Sequence, residues 1–276
     1  MKRLVVVGIA FGIFLGGCSV SSGQNDETVK VGIRNSEEKT WTYIQEKAEE
    51  EGVDLELVEL DATVDPNQIL VEGDIDINAF QHIAYLDLFN EANETNIVPI
   101  ATTIIAPLGM YSDTITEISE LADGSTVALP NDSSNWGRAL ALLQSEGLIK
   151  LVDDFDGNGG ADKVKENPKN LEFVPVDGAS APRVMEDLDA AIINNGVALQ
   201  ANLMLDDAVI HEDATAKPYI NIIATLEENK DQPAFQTIID IYQSDETANF
   251  IEETYDGNYL PTFITLEELS TYKETY

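Results

Sequence analysis

The chain is predicted to be an α/β protein of two lobes, and three observations carry that prediction. Hydrophobic residues, 43% of the 276, gather into short β-branched runs that alternate with stretches of helical period. Breaks in this rhythm near 109–112 and near 213–218 divide it into blocks, the last of which returns to the first lobe. After the N-terminal segment about 250 residues remain, ample for one large core or two smaller ones.

The elements follow in order. TVKVGI (28–33) is apolar and β-branched, KTWTYIQEKAEEE (39–51) reads helical, and DLELVEL (54–60) alternates with period two. A helix after Pro66, a strand DINAF (76–80), a helix from about His82 to Ala92 and a long apolar strand IVPIATTII (97–105) continue the pattern. After GMYS (109–112) it restarts with STVALP (125–130), a helix from about Ser134 to Glu146, LEFVPV (171–176) and AAIINN (190–195). PYINIIATL (218–226) then precedes two helices around 233–254. Strands alternating with helices argue for parallel-type sheets covered on both faces. The expected division is a first lobe of 28–110 plus 218–276 and a second lobe of 111–217.

Ahead of this body, Lys2 and Arg3 precede an apolar run from Leu4 to Leu15, too short for a stable bilayer span but suited to an export signal over 1–17. Gly16 and Gly17 then precede Cys18, the only cysteine. Leu15-Gly-Gly-Cys18 resembles the lipobox of bacterial lipoproteins, which implies cleavage before Cys18 and acylation of its thiol. Two or three acyl chains anchor stably where one does not. The polar residues 18–27 suit a flexible tether. With Cys18 acylated, no cysteine remains for a disulfide, a thiol nucleophile or a thiolate metal site.

There are 51 acidic residues against 15 basic ones, a formal net charge of −36. Phosphate would be repelled across most of such a surface, so nucleic acid is excluded as a partner. Runs such as Glu46, Glu49, Glu50 and Glu51 read as a solvated helix face.

Three clusters carry candidate binding chemistry. Only three arginines follow Arg3, namely Arg34, Arg138 and Arg183. Arg138 lies just inside a helix whose start is signalled by Asn131, Asp132, Ser133 and Ser134. A guanidinium beside the free N–H groups of a helix N-terminus suits a carboxylate or phosphate, although pairing with one of the many acids is an equal alternative on this evidence alone. Asn135, three residues earlier, shares that helix face. In GDIDINAFQHIAYL (73–86), Phe80 and His82 would face one side of a strand, or serve as core and structural groups. In IINNGVA (192–198), Asn194 ends an apolar strand, where open α/β sheets bind ligands, or simply forms a turn.

The blocks GDIDINAFQH, APLGMYS, PNDSSNWGRALALLQSEGLIKL, ENPKNLEF, DLDAAIINN and KPYINIIATLEENKD resemble, in this order, the MetQ/NlpA family of methionine-binding lipoproteins. The resemblance implies a type II periplasmic-binding-protein fold, two α/β lobes closing over a ligand like a clamp. It also implies an amino-acid ligand, methionine first, delivered to the permease and ATPase of an ABC importer from the extracytoplasmic face of the membrane. No cofactor is implied. By motif match Phe80 and His82 belong to the side-chain pocket, Asn135 and Arg138 to the ligand's carboxylate and polar head, and Asn194 to the opposite lobe edge. These roles predict that Arg138→Ala loses binding while unliganded melting changes little.

The departures also carry information. Where the family usually has an aspartate-tyrosine pair, Asp61 is followed by Ala62. Where it usually runs Asn-Tyr-Ala or Thr-Tyr-Ala, this chain has Gly196-Val197-Ala198. Loss of two aromatic walls should enlarge or soften the pocket, leaving open another amino acid or a short peptide recognised by its backbone charges. An inserted segment, DDFDGNGGADK (153–163), places Asp154, Asp156, Asn158 and Asp162 at positions one, three, five and nine of an EF-hand loop, but position twelve is Lys165, so a solvated turn is expected over a calcium site.

Rival classes fare worse. There are two histidines, His82 and His211, with no GxSxG elbow, no HExxH and no phosphate loop, so an enzyme would have to run on carboxylates alone. Transition-metal capture wants imidazole or thiolate, both scarce. A structural or adhesive lipoprotein remains the third alternative.

Overall fold

The computed structural model describes residues 28–213 and 216–275. The export signal, Cys18 and the whole of the tether therefore lie outside the described residues.

Thirteen strands and nine α-helices are present among them. The first block contains β1 (Val29–Ile33), α1 (Glu38–Glu50), β2 (Leu55–Glu59), α2 (Pro66–Glu72), β3 (Ile77–His82), α3 (Ile83–Asn93) and β4 (Ile97–Ile105). The second contains β5 (Gly109–Tyr111), β6 (Thr126–Pro130), α4 (Ser133–Ser145), β7 (Lys150–Leu151), β8 (Val164–Glu166), β9 (Glu172–Val176), α5 (Ala181–Val184), β10 (Ala190–Ile193), α6 (Asn195–Gln200) and β11 (Ile210–His211). The chain closes with β12 (Ile220–Leu226), α7 (Pro233–Tyr242), α8 (Asp245–Tyr255), β13 (Leu260–Pro261) and α9 (Leu266–Leu269).

Local chemistry explains the helix boundaries. Asp65 caps α2 by accepting from the Asn67 amide, Pro66 occupies the first turn, and Gly73 ends the helix in the left-handed region. Asp132 caps α4 by accepting from the Asn135 amide, and Ser244 caps α8 by accepting from the Thr247 amide.

The strands form a six-stranded sheet ordered β13-β4-β12-β3-β1-β2 and a five-stranded sheet ordered β11-β5-β10-β6-β9, with β7 and β8 as a separate hairpin. Both large sheets are mixed, which corrects the parallel expectation. Strands β1, β2 and β3 are parallel, but β12 runs antiparallel to β3 and β4. The reason is topological. β4 leaves for the second sheet and β12 comes back from it, so the returning strand must enter with opposite sense. In the second sheet β6, β9 and β10 are parallel, and β5 is antiparallel to β10 and β11. Gly109 and Met110 pair with Ile193 and Ile192. Residues 109–110, expected at the end of the first lobe, thus belong to the second sheet, and the crossings are 106–108 and 212–219.

Both faces of each sheet are covered. Trp41, Ile44, Phe235, Ile238 and Ile251 of α1, α7 and α8 pack on one face of the first sheet, and Leu70, Leu86 and Leu269 on the other. Leu140 and Leu143 of α4 cover one face of the second sheet, with Ala181, Met185 and Ala198 opposite. Among the described residues no helix is long and apolar enough to cross a membrane.

This topology brings the carboxyl ends of β3, β6 and β10 to one place. Ala190 and Ala191 of β10 pair with Val127 and Ala128 of parallel β6, so Asn194 and the start of α4 emerge side by side. In the first sheet His82, the last residue of β3, pairs with Asn221 near the start of β12.

Candidate functional site

Between the two sheets lies a cavity of about 710 Å³, within the usual range for small-molecule sites. Phe80, His82, Asn135, Arg138 and Asn194 all line it, as do Ala62 and Val197.

The motif around Phe80 and His82 has two layers. Asn67, Asn78 and Gln81 form a buried amide cluster. Asn67 Nδ2 donates to Gln81 Oε1 at 2.7 Å, Gln81 Nε2 donates to Asn67 Oδ1 at 2.6 Å and to Asn78 Oδ1 at 3.1 Å, and Asn78 Nδ2 donates to Asn67 Oδ1 at 2.9 Å. Positions 78 and 81 of a regular strand point to opposite faces. They meet here because the register with β12 skips Phe80, pairing Ala79 with Ile223 and Gln81 with Ile222. Such a bulge re-aims side chains. The buried amides tie β3 to α2, leaving Phe80 and His82 to line the cavity.

His82 is 5% exposed. Burial, reinforced by the Arg138 charge, lowers its pKa to about 3, so the ring is neutral at any physiological pH. Its Nδ1 accepts from the Tyr85 amide at 3.1 Å. The proton of a neutral ring must then sit on Nε2, which faces Asn135 Oδ1 at 3.3 Å. Asn194 Nδ2 donates to the same oxygen at 2.8 Å, while Asn135 Nδ2 donates to both oxygens of Asp132 at 3.1 Å. The amide orientation of Asn135 is therefore set on both sides. The helix cap Asp132 is connected through it to Asn194 and, across the cleft, to His82.

Arg138, 3% exposed, makes a buried ion pair with Glu212, whose side chain is 10% exposed. Its Nε donates to Glu212 Oε1 at 2.8 Å and Oε2 at 3.0 Å, and its Nη2 donates to Glu212 Oε2 and to the Ala106 carbonyl at 2.9 Å. Glu212 Oε2 also accepts from the Leu108 amide at 2.8 Å. Tyr219 lies under the guanidinium, 4.4 Å from ring centroid to Cζ. Arg138 thus ties both crossing segments together, and Nη1 has no hydrogen-bond partner among the described residues. Removing Arg138 would strand a buried carboxylate, so unliganded melting is expected to fall rather than stay unchanged.

Segment 153–163 buttresses α4. Gly159 N donates to the Ser133 carbonyl at 3.1 Å. A Cβ on Gly137 would meet the Gly157 carbonyl oxygen at 2.1 Å, so only glycine permits this approach. Asp156 accepts from the Asn158 amide, Asp162 from the Gly160 amide, and Lys165 pairs with Asp153 at 2.8 Å. Among the described residues no three acidic, histidine or cysteine side chains converge as a metal site.

Several residues in or next to the site escape sequence reasoning. Asn221, facing His82 across the ladder, carried one usable signal, a polar residue inside the apolar run PYINIIATL. Glu212 carried none among so many acids. Glu37, in the 3₁₀ turn before α1, is buried beside the cavity, and burial pushes its pKa up to about 8, with the Arg34 charge opposing. A carboxyl whose folded pKa exceeds its unfolded value stabilises the fold fully below about 4.5, and this contribution is lost as pH rises through about 8. Glu37→Gln should therefore gain about 2 kcal/mol over the wild type between pH 6 and pH 8. Denaturant melts at the two pH values check this, and a difference independent of pH would refute it.

Comparison with known proteins agrees with this architecture. Residues 29–263 match the model of the NlpA lipoprotein family. The probable D-methionine-binding lipoprotein MetQ of Pasteurella multocida is 40% identical over 219 residues, covering 78% of this chain and 79% of that protein. The uncharacterized lipoprotein YhcJ of Bacillus subtilis is 32% identical over 100% of this chain and 99% of its own length. Among solved structures, a nutrient binding protein from Burkholderia cenocepacia bound to methionine matches with a TM-score of 0.82 at 39% identity, covering 85% of this chain and 100% of that one. Protein PG110 of Staphylococcus aureus matches with a TM-score of 0.85 at 36% identity, over 90% and 99%. With the family model spanning nearly the whole described body and the mixed sheets enclosing a cleft, the chain belongs to the NlpA lipoprotein family.

Proposed function

We propose that this protein captures an L-α-amino acid in the cleft between its two sheets and delivers it to the permease and ATPase of an ABC importer. Methionine is the reference ligand, since relatives are named for D-methionine and a structural neighbour was solved with methionine bound. In this reading Cys18 carries the acyl anchor, and the body works at the extracytoplasmic face of the membrane.

One observation carries the ligand assignment. Arg138 is almost fully buried at the cavity, its Nε and Nη2 held by Glu212 and Ala106, with Nη1 uncommitted among the described residues. A buried guanidinium donor that is left over suits an incoming carboxylate. The Asn135–Asn194 pair beside it offers donors and acceptors to an ammonium-carboxylate head.

Calorimetry against L-methionine, other L-amino acids and short peptides tests the reading. A free α-carboxylate should be required, so the methyl ester of the best ligand should bind at least about thirtyfold more weakly. An ester that binds as tightly as the acid would overturn it.

A further inference from the structure

All three arginines that follow Arg3 line the same cavity, in a chain of net charge −36. Arg138 is neutralised by Glu212. Arg34 is different. Among the described residues no carboxylate is within ion-pair distance of it, and its partners are backbone carbonyls.

Arg34 directly follows β1, and its side chain reaches the loop between β2 and α2. Nη1 donates to the Leu60 carbonyl at 2.9 Å and to that of Asp61, and Nη2 donates to the Val64 carbonyl at 3.0 Å. Its Cζ lies 5.4 Å from the Phe80 ring centroid. A guanidinium has five N–H groups. Three are used here, so the Nε–H and one Nη2–H remain without a partner among the described residues. Of the two residues between the bonded Asp61 and Val64 carbonyls, Ala62 lines the cavity with Arg34 and Phe80, and its single methyl group offers no ring to cover the cation. Phe80 sits at the bulge of β3 and His82 at the end of that strand. Arg34 lies against Phe80, whereas Arg138 and His82 share the Tyr219 ring, so the two guanidiniums serve different parts of the cavity.

The geometry points to Arg34 as the specificity-determining residue of the pocket, donating hydrogen bonds to an oxygen at the tip of the ligand's side chain. The ligand class is an α-amino acid ending in a carboxylate or carboxamide, and this assignment rests on the reading of Arg138 as the α-carboxylate partner. A thioether accepts hydrogen bonds poorly, so methionine would strip water from the guanidinium without replacing it. One charge-assisted hydrogen bond gained or lost corresponds to about tenfold or more in affinity.

The test is calorimetry with L-glutamine, L-glutamate and L-methionine, three ligands of similar reach. The wild type should bind glutamine or glutamate at least about tenfold more tightly than methionine. Glutamate above glutamine means that the pocket reads charge, and the reverse means that it reads the carboxamide. Arg34→Met should erase the preference. Because that change also frees three carbonyls, Ala62→Tyr provides a second variant that keeps Arg34 and lays a ring over it, and it should move the preference about tenfold toward methionine. Methionine binding as tightly as the other two in the wild type overturns the Arg34 assignment and leaves the amino-acid reading standing. Binding of none of the three overturns both.

Discussion

Arg138→Ala should lose nearly all detectable ligand binding and lower the stability of the unliganded protein by about 3–5 kcal/mol. The binding loss follows from truncating a buried, charge-assisted partner, on the order of 2–5 kcal/mol, or roughly thirtyfold to several thousandfold. The stability loss has a separate origin. Glu212 would keep its buried position with only the Leu108 amide to offset its charge, and the Ala106 carbonyl and the Tyr219 ring would lose their cation. A double variant separates the two effects. Arg138→Met with Glu212→Leu removes both charges together, so melting should recover most of the loss while binding stays absent. Calorimetry and denaturant melts of the single and double variants measure this. An Arg138→Ala protein that binds the preferred ligand like the wild type would refute the site assignment. One that melts like the wild type would show that the ion pair carries no structural load.

Asn135→Ala is the second large effect, at about 2–4 kcal/mol of stability. Its amide oxygen accepts from His82 of the first sheet's lobe and from Asn194 of the second, so removal leaves two donors without a partner near a buried ring. Each buried donor stranded in this way costs about 1–3 kcal/mol. Because the His82 contact bridges the cleft, ligand affinity should also fall by about tenfold or more as the closed arrangement loosens. Melting temperature and calorimetry report the two parts. Unchanged melting would mean that water replaces the amide oxygen at no cost, and that the polar chain from Asp132 to His82 does not hold the lobes.

Much of the fold could be read in the residues because its signals are local. The strand at 97–105 and the helix opened by Asp132 announce themselves through apolar runs and caps within a few residues of the elements they define. Strands β5, β7, β8 and β11, of two or three residues each, could not be read so. A ladder that short has no period of its own and exists only because distant partners, such as Ile192 for Met110, present their edges. The direction of β12 was hidden for the same reason, since apolar alternation is identical in parallel and antiparallel pairs.

The site divides along the same line. The residue chemistry was legible from short stretches of chain: Phe80 and His82 near a strand end, Asn135 and Arg138 on one helix face, and Asn194 after an apolar strand. Each of those placements depends on periodicity and caps over a few residues. That Glu212 takes Arg138, that Asn135 joins His82 to Asn194, that a bulge turns Phe80 out of the ladder, and that Arg34 reaches the loop around Ala62 depended on how distant segments pack. The hydrogen bonds among these join residues 26 to 74 positions apart, and the bulge depends on a strand more than a hundred positions away. Their partners are chosen by which strand ends the topology brings together, and in a chain with 51 carboxylates no local rule could single out the one that Arg138 would meet.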